Sequence, residues 1–279
     1  MRVALLGGSG FIGDALAAAL RARGDDVTVL SLRDPEHAAD GATDCEAIVN
    51  LAGEPIAQRW TAAVKQRLHD SRTVLPRAFL QHLARLQRRA TVYVSASAID
   101  YYGPSATATF DESSPAGKTF LAGICAAWER EAQGASALGM RVACIRTGLA
   151  LGKGGMLAKL VPLFRAGMGG RIGDGTSWYS WIHADDLAGI YLSAIDDPDG
   201  ALNAVAPNPV TNAEFVRELG RALHRPAFLP APTFALRAAL GEGANVLLER
   251  QRVLPRRALE RGYRFKFPEL AGALEDVVR

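Results

Sequence analysis

The apolar positions change period within the first 32 residues. Val3-Ala-Leu-Leu6 is an unbroken apolar run, Gly7-Gly-Ser-Gly10 interrupts it, and Phe11, Ile12, Ala15, Leu16, Ala19 and Leu20 then recur at helical spacing. This order predicts strand, tight turn and helix. Gly24 supplies a helix stop, and the β-branched run Val27-Thr-Val-Leu-Ser-Leu32 predicts a second strand. A helix between two short strands makes them parallel neighbours, since a crossover is what parallel pairing requires.

The alternation continues. Further strands are expected over residues 47–51, 91–95 and 141–146, with helical patterns over 60–87 and 119–138 between them. The fold class is therefore α/β, a doubly wound parallel sheet. Residues 33–46 are hardly enough for a strand plus a crossover helix, so an edge strand is expected to be missing or vestigial there. Beyond about residue 150, glycine-rich and proline-punctuated stretches separate short helices. A first domain over 1–150, completed by segments from 180–206, and a smaller, mostly helical lobe over 151–279 follow from this.

Composition narrows the class without naming a function. With 49% hydrophobic and 22% charged residues, the 279-residue chain is an ordinary folded protein rather than a disordered one. A net charge of +3 without long like-charge blocks gives no reason to expect a nucleic-acid partner. The 27 arginines against five lysines read as a compositional habit, and pairs such as Arg88-Arg89 and Arg256-Arg257 as solvated. Three cysteines (Cys45, Cys125, Cys144) without C-x-x-C spacing indicate neither a disulfide framework nor zinc, and fit a reducing cytoplasm. No 18-residue apolar run predicts a membrane span, and the early glycines break any signal-peptide pattern.

Gly7-Gly-Ser-Gly10-Phe-Ile-Gly13 sets glycines at G-x-x-G-x-x-G spacing between strand and helix. Such a turn lets main chain approach a pyrophosphate while the helix N-terminus offers unpaired N–H groups and positive dipole. A dinucleotide site over Gly7, Gly10, Phe11, Ile12 and Gly13 is expected. At the end of the second strand, Ser31-Leu-Arg33-Asp34 places an arginine where an NADP 2′-phosphate would lie. Arg33 favours NADP(H) over NAD(H), and Asp34 reads as a turn residue before Pro35.

Together with Asn50-Leu-Ala-Gly-Glu-Pro55, Ser95-Ala-Ser97, Tyr101-Tyr-Gly103, Arg146-Thr-Gly148 and Trp181-Ile-His-Ala-Asp-Asp186, the glycine turn resembles the extended short-chain dehydrogenase/reductase superfamily. More narrowly, the chain is similar to its epimerase-like branch with a small C-terminal domain, here at about 224–279, matched by His224-Arg-Pro226 and Gln251-Arg-Val-Leu-Pro255. The resemblance runs the length of the chain. It implies a Rossmann-type sheet of order 3-2-1-4-5-6-7, with a small-molecule substrate under the C-terminal lobe. It places Asn50, Leu51, Ala52, Gly53 and Ser95 beside the cofactor and Ser97 at the superfamily's catalytic serine.

One motif departs from that pattern. Catalytic members pair a Tyr with a Lys four residues on, the ammonium lowering the phenol's pKa toward neutrality. None of the six tyrosines here has Lys at that offset, and the aligned positions are Leu121 and Cys125, within an apolar helical stripe. Tyr101 and Tyr102 are the alternative proton donors, against a packing role, while Cys125 reads as a small core residue. No metal-ligand cluster is apparent. The leading expectation is an NADP(H)-dependent, epimerase-like oxidoreductase acting on a small polar, sugar-nucleotide-like substrate; the alternative is an NADP(H)-binding sensor or scaffold with little turnover. Oligomeric state is left open.

Overall fold

The computed structural model describes every residue except Arg88 and Glu249, and Ala235 by its backbone alone; the expectation for Arg88 lies outside the described residues. The first half runs β1 (Arg2–Leu6), α1 (Phe11–Arg23), β2 (Asp26–Leu30), α2 (Pro35–Gly41), β3 (Ala47–Asn50), α3 (Ala62–Asp70), α4 (Val74–Leu83), β4 (Val92–Ala98), β5 (Thr109–Phe110), α5 (Phe120–Gln133) and β6 (Arg141–Thr147). The second half continues β7 (Leu149–Leu151), α6 (Gly155–Arg165), β8 (Trp178–Tyr179), β9 (Trp181–His183), α7 (Ala184–Asp196) and β10 (Gly200–Ala204). It closes with β11 (Val210–Thr211), α8 (Asn212–Ala222), α9 (Thr233–Leu240), α10 (Asn245–Leu248), β12 (Arg252–Val253), α11 (Arg256–Glu260) and α12 (Leu270–Val278).

Six strands form one sheet in the order β10-β6-β4-β3-β1-β2, every neighbouring pair parallel. The implied order loses its third strand. Residues 33–46 are spent on α2, whose N-cap Asp34 accepts the His37 N–H at 3.1 Å, and the chain crosses straight back to β3. β2 is thus the sheet's edge, with Val29 45% exposed.

Both faces of the sheet are covered, which is why its inner strands read as continuous apolar runs rather than alternating ones. Val3 and Leu5 of β1 pack with Leu16 and Leu20 of α1 and Ile190 and Ile195 of α7. Ala4 and Leu6 face the other way, toward Phe79 and Leu83 of α4. A separate core formed by Phe164, Trp181, Phe215, Leu219 and Leu274 holds the C-terminal lobe. Tyr179 is buried in the same core.

One carboxylate of α7, the helix that covers the sheet, gathers several contacts from the C-terminal segment. Asp186 accepts the main-chain N–H groups of Lys266 (2.7 Å) and Phe267 (2.9 Å), and the Tyr263 hydroxyl donates to its carbonyl oxygen at 3.0 Å. The N-cap of α7 is His183, whose Nδ1 accepts the Asp185 N–H at 3.1 Å.

Candidate functional site

The strand order reverses at β1, between β2 and β3, and in open parallel sheets that reversal opens a crevice at the carboxyl ends of the strands. Two loops meet there. Gly7, at φ +75°, stands so close to the loop after β3 that a Cβ would lie 2.7 Å from Ala52 Cα; a side chain is barred by both conformation and space. At Gly13 a Cβ would sit 2.4 Å from the Gly8 carbonyl oxygen, the close packing of turn on helix. Gly10 differs. Nothing lies within 4 Å of where its Cβ would be, and it faces the cleft.

The loop after β3 is shaped by buried polar groups. Asn50 donates to the Tyr93 hydroxyl (3.1 Å) and accepts the Ala52 N–H (3.0 Å). Arg72, 7% exposed, donates to the Glu54 carbonyl (3.0 Å) and the Leu68 carbonyl (3.2 Å), with its guanidinium 5.0 Å from the Trp128 ring. Arg72 thus holds the cleft wall as well as facing it.

The cleft has a volume of about 510 Å³. It gathers Gly7, Gly10, Phe11, Ile12, Gly13, Leu51, Gly53 and Ser97 of the expected site residues, with Asp100, Trp128, Met156 and Arg250 beside them. Ala52 sits behind Gly7. Ser95 is buried, its hydroxyl donating to the Ala96 carbonyl at 3.0 Å. Arg33 is exposed beyond β2, bordering a separate depression with Pro35, His82 and Arg85. A second pocket, about 240 Å³, lies against the C-terminal lobe between Trp60, Phe120, Leu121, Asn245 and Val246; Asp100 walls both spaces. A larger, shallow depression of about 930 Å³ on α8, among Arg171, Arg217, Arg221 and Arg225, includes none of the glycine-turn residues.

Ser97 ends a buried polar chain. Its Oγ donates to Glu129 Oε1 at 2.7 Å, and Arg146 forks onto the same carboxylate with Nε and Nη2, each at 2.8 Å. Arg146 Nη1 also donates to the Tyr102 hydroxyl (2.9 Å), which donates in turn to Asn203 Oδ1 (2.7 Å). This placement corrects the expectation for the tyrosines. Tyr102 is 4% exposed, both capacities of its hydroxyl are occupied, and burial pushes its pKa up to about 12. Tyr101 lies with its ring centroid 3.5 Å from the Arg146 guanidinium carbon. Neither borders the cleft. The 3₁₀ turn Ile99–Tyr102 packs them instead with Val205, Val253 and Phe110.

Cys125 is buried and burial pushes its thiol up, so it presents no thiolate near neutrality. His183 is turned away from the cleft, its Nε2 3.3 Å from an Asp276 carboxylate oxygen. Two residues escaped the sequence reading. Glu129 carried one signal, since it lies four and eight residues after Cys125 and Leu121 on one helix face and is the carboxylate in that stripe. Asp100 carried none beyond its nearness to Ser97. Among the described residues no cluster of His, Cys, Asp and Glu is arranged to hold a metal, and no helix is long and apolar enough to cross a membrane.

Comparison with known proteins adds three findings. Residues 3–206 match the model of the NAD dependent epimerase/dehydratase family, and residues 231–277 match a domain of unknown function, DUF1731. Epimerase family protein SDR39U1 of Homo sapiens is 41% identical over 297 residues, covering all of both chains; the SDR39U1 homolog of Arabidopsis thaliana, described as chloroplastic, is 40% identical over 306 residues, covering all of this chain and 87% of the other. The crystal structure of human SDR39U1 (isoform 2) with NADPH superposes with a TM-score of 0.92 at 37% identity, covering 99% of each chain.

Proposed function

Because the chain belongs to the NAD dependent epimerase/dehydratase family, we propose that it binds NADP(H) along the Gly7–Gly13 turn and uses it for hydride transfer to or from a small polar substrate beside Ser97. The observation that carries this reading is the glycine geometry at the strand reversal: Gly7 and Gly13 pack main chain on main chain, while the place of a Gly10 side chain is open cleft. The residues present fit the cofactor. N–H groups at the start of α1, whose N-cap Gly10 supplies no side-chain cap, would hold the pyrophosphate. Arg33, exposed and without a described ion pair, is suited to a 2′-phosphate, while Asp34 is occupied in capping α2. When bound, the nicotinamide supplies the hydride. Ser97, with its proton directed to Glu129, would accept a hydrogen bond from a substrate hydroxyl.

A second reading is supported by Leu121 and Cys125 standing where the superfamily's Tyr and Lys belong: an NADP(H)-binding protein with little turnover. Calorimetric titration of nucleotide-stripped protein with NADPH and NADH tests the shared part. Micromolar or tighter binding with NADPH preferred supports it; binding of neither ends both readings. Single-turnover oxidation of bound NADPH by a panel of small carbonyl compounds then separates them.

A further inference from the structure

Leu121 and Cys125 wall a narrow cavity together with Ala98, Trp128 and Asp100. Asp100 also borders the glycine-loop cleft and the 240 Å³ pocket, so one carboxyl-bearing residue is common to all three spaces. It stands three residues after Ser97, in the turn that leaves β4. Among the described residues no other residue donates a hydrogen bond to this carboxyl. Burial holds it above the usual carboxylate range, opposed by the cations Arg250 and Arg72. Arg72 is already engaged with two carbonyl oxygens, and Arg250 lies against the Tyr179 ring. From α5 the group meets the buried Cys125 thiol, and across the pocket Glu242 is paired with Lys65. A half-buried carboxyl that faces largely apolar walls and receives no donor from another residue is costly to keep, and such costs gather where proton chemistry is done.

We propose that Asp100 is the proton-transfer residue of this site, taking the place of the absent phenol. The proposal rests on the hydride-transfer reading above. A substrate carbonyl carbon receives the hydride, the carbon–oxygen π bond opens, and the oxygen takes its proton from the Asp100 carboxyl. The resulting carboxylate recovers a proton from solvent, and oxidation of an alcohol runs the same steps backward. The adjoining pocket, walled by Trp60, Phe120 and Val246 and smaller than the usual 300–1,000 Å³ ligand cavity, fits a compact carbonyl compound better than a nucleotide sugar.

Infrared titration of the nucleotide-free protein, wild type against Asp100→Asn, reads the carboxyl directly. The wild type is expected to show a protonated-carboxyl band, lost in the variant, with a midpoint above that of an ordinary aspartate. Asp100→Asn should melt at or above the wild-type temperature, because no hydrogen-bond donor loses its partner. It should keep its NADPH affinity, yet slow single-turnover reduction about 10²- to 10⁴-fold, with Asp100→Glu recovering part of the rate. A midpoint in the ordinary carboxylate range, a lower melting temperature with unchanged rate, or an unchanged rate alone overturns the role of Asp100. If the wild type keeps the elevated midpoint but reduces no carbonyl compound, the hydride-transfer reading falls and this role with it.

Discussion

Gly7, Gly10 and Gly13 present main chain to one end of the cleft, whereas the other end is faced by Ser97, Asp100, Arg72 and Trp128. At the glycine end the geometry follows from sterics: a Cβ has no room at Gly7 or Gly13, and the helix start leaves its N–H groups free. At the other end the polar chain is set by partners from distant elements, Ser97 by Glu129 of α5 and Glu129 by Arg146 of β6. The first end can therefore be kept unchanged while the second is rebuilt around a different proton donor. Family membership constrains where the nucleotide lies far more than it constrains the chemistry performed beside it.

The comparison can be broken hardest at Glu129. Its ion pair with Arg146 is nearly enclosed, the two side chains being 15% and 5% exposed, so Glu129→Ala strands a buried guanidinium. A loss of about 3–5 kcal/mol in chemical denaturation is expected; a loss below about 1 kcal/mol would mean that the pair does not organise the reaction end. Next comes Gly10→Val. Its side chain enters open cleft, so stability should hold while NADPH affinity falls about a hundredfold or more, some 2.7 kcal/mol by calorimetry. Unchanged affinity would remove the nucleotide from this turn. Arg33→Ala should weaken NADPH by about 1–3 kcal/mol and leave NADH nearly untouched, the scale of a charge-assisted hydrogen bond. Equal loss for both nucleotides would show that Arg33 does not read the 2′-phosphate.

The smallest effect is one of pH. Burial lowers the proton affinity of His183 below that of an ordinary histidine, against the opposing pull of Asp185 and Asp276. The unfolded chain then binds the proton more readily than the folded one. The contribution is complete above the unfolded value of about 6.5 and is lost as pH falls through it toward the folded value. His183→Asn, which keeps a capping side chain, should flatten the decline in stability between pH 7 and pH 5; an unaltered slope would assign that decline elsewhere.

Much of the first end was legible in the chain because its rules are local. The Gly7–Gly13 spacing and the αL stop at Gly24 act on their own stretch of backbone, and that residues 33–46 are too short for another strand follows from their number alone. The tyrosines misled because adjacency to Ser97 says nothing of direction: Tyr102 turns inward to meet Asn203, 101 residues away in sequence. Glu129 and Arg146 are 17 residues apart on different elements, and nothing local pairs them. Asp100 is legible only from what surrounds it, which three separate segments supply.

The sheet that stops at β2 has a consequence for how the two nucleotides are told apart. With no outer strand to wall it, Arg33 stands in solvent at the margin. An exposed charge acts over a Debye length of about 10 Å at 0.1 M salt and about 3 Å at 1 M. Discrimination resting on Arg33 is therefore expected to be tuned by ionic strength, sharp in dilute buffer and flattened in concentrated salt, while whatever the glycine turn holds through main-chain contacts persists.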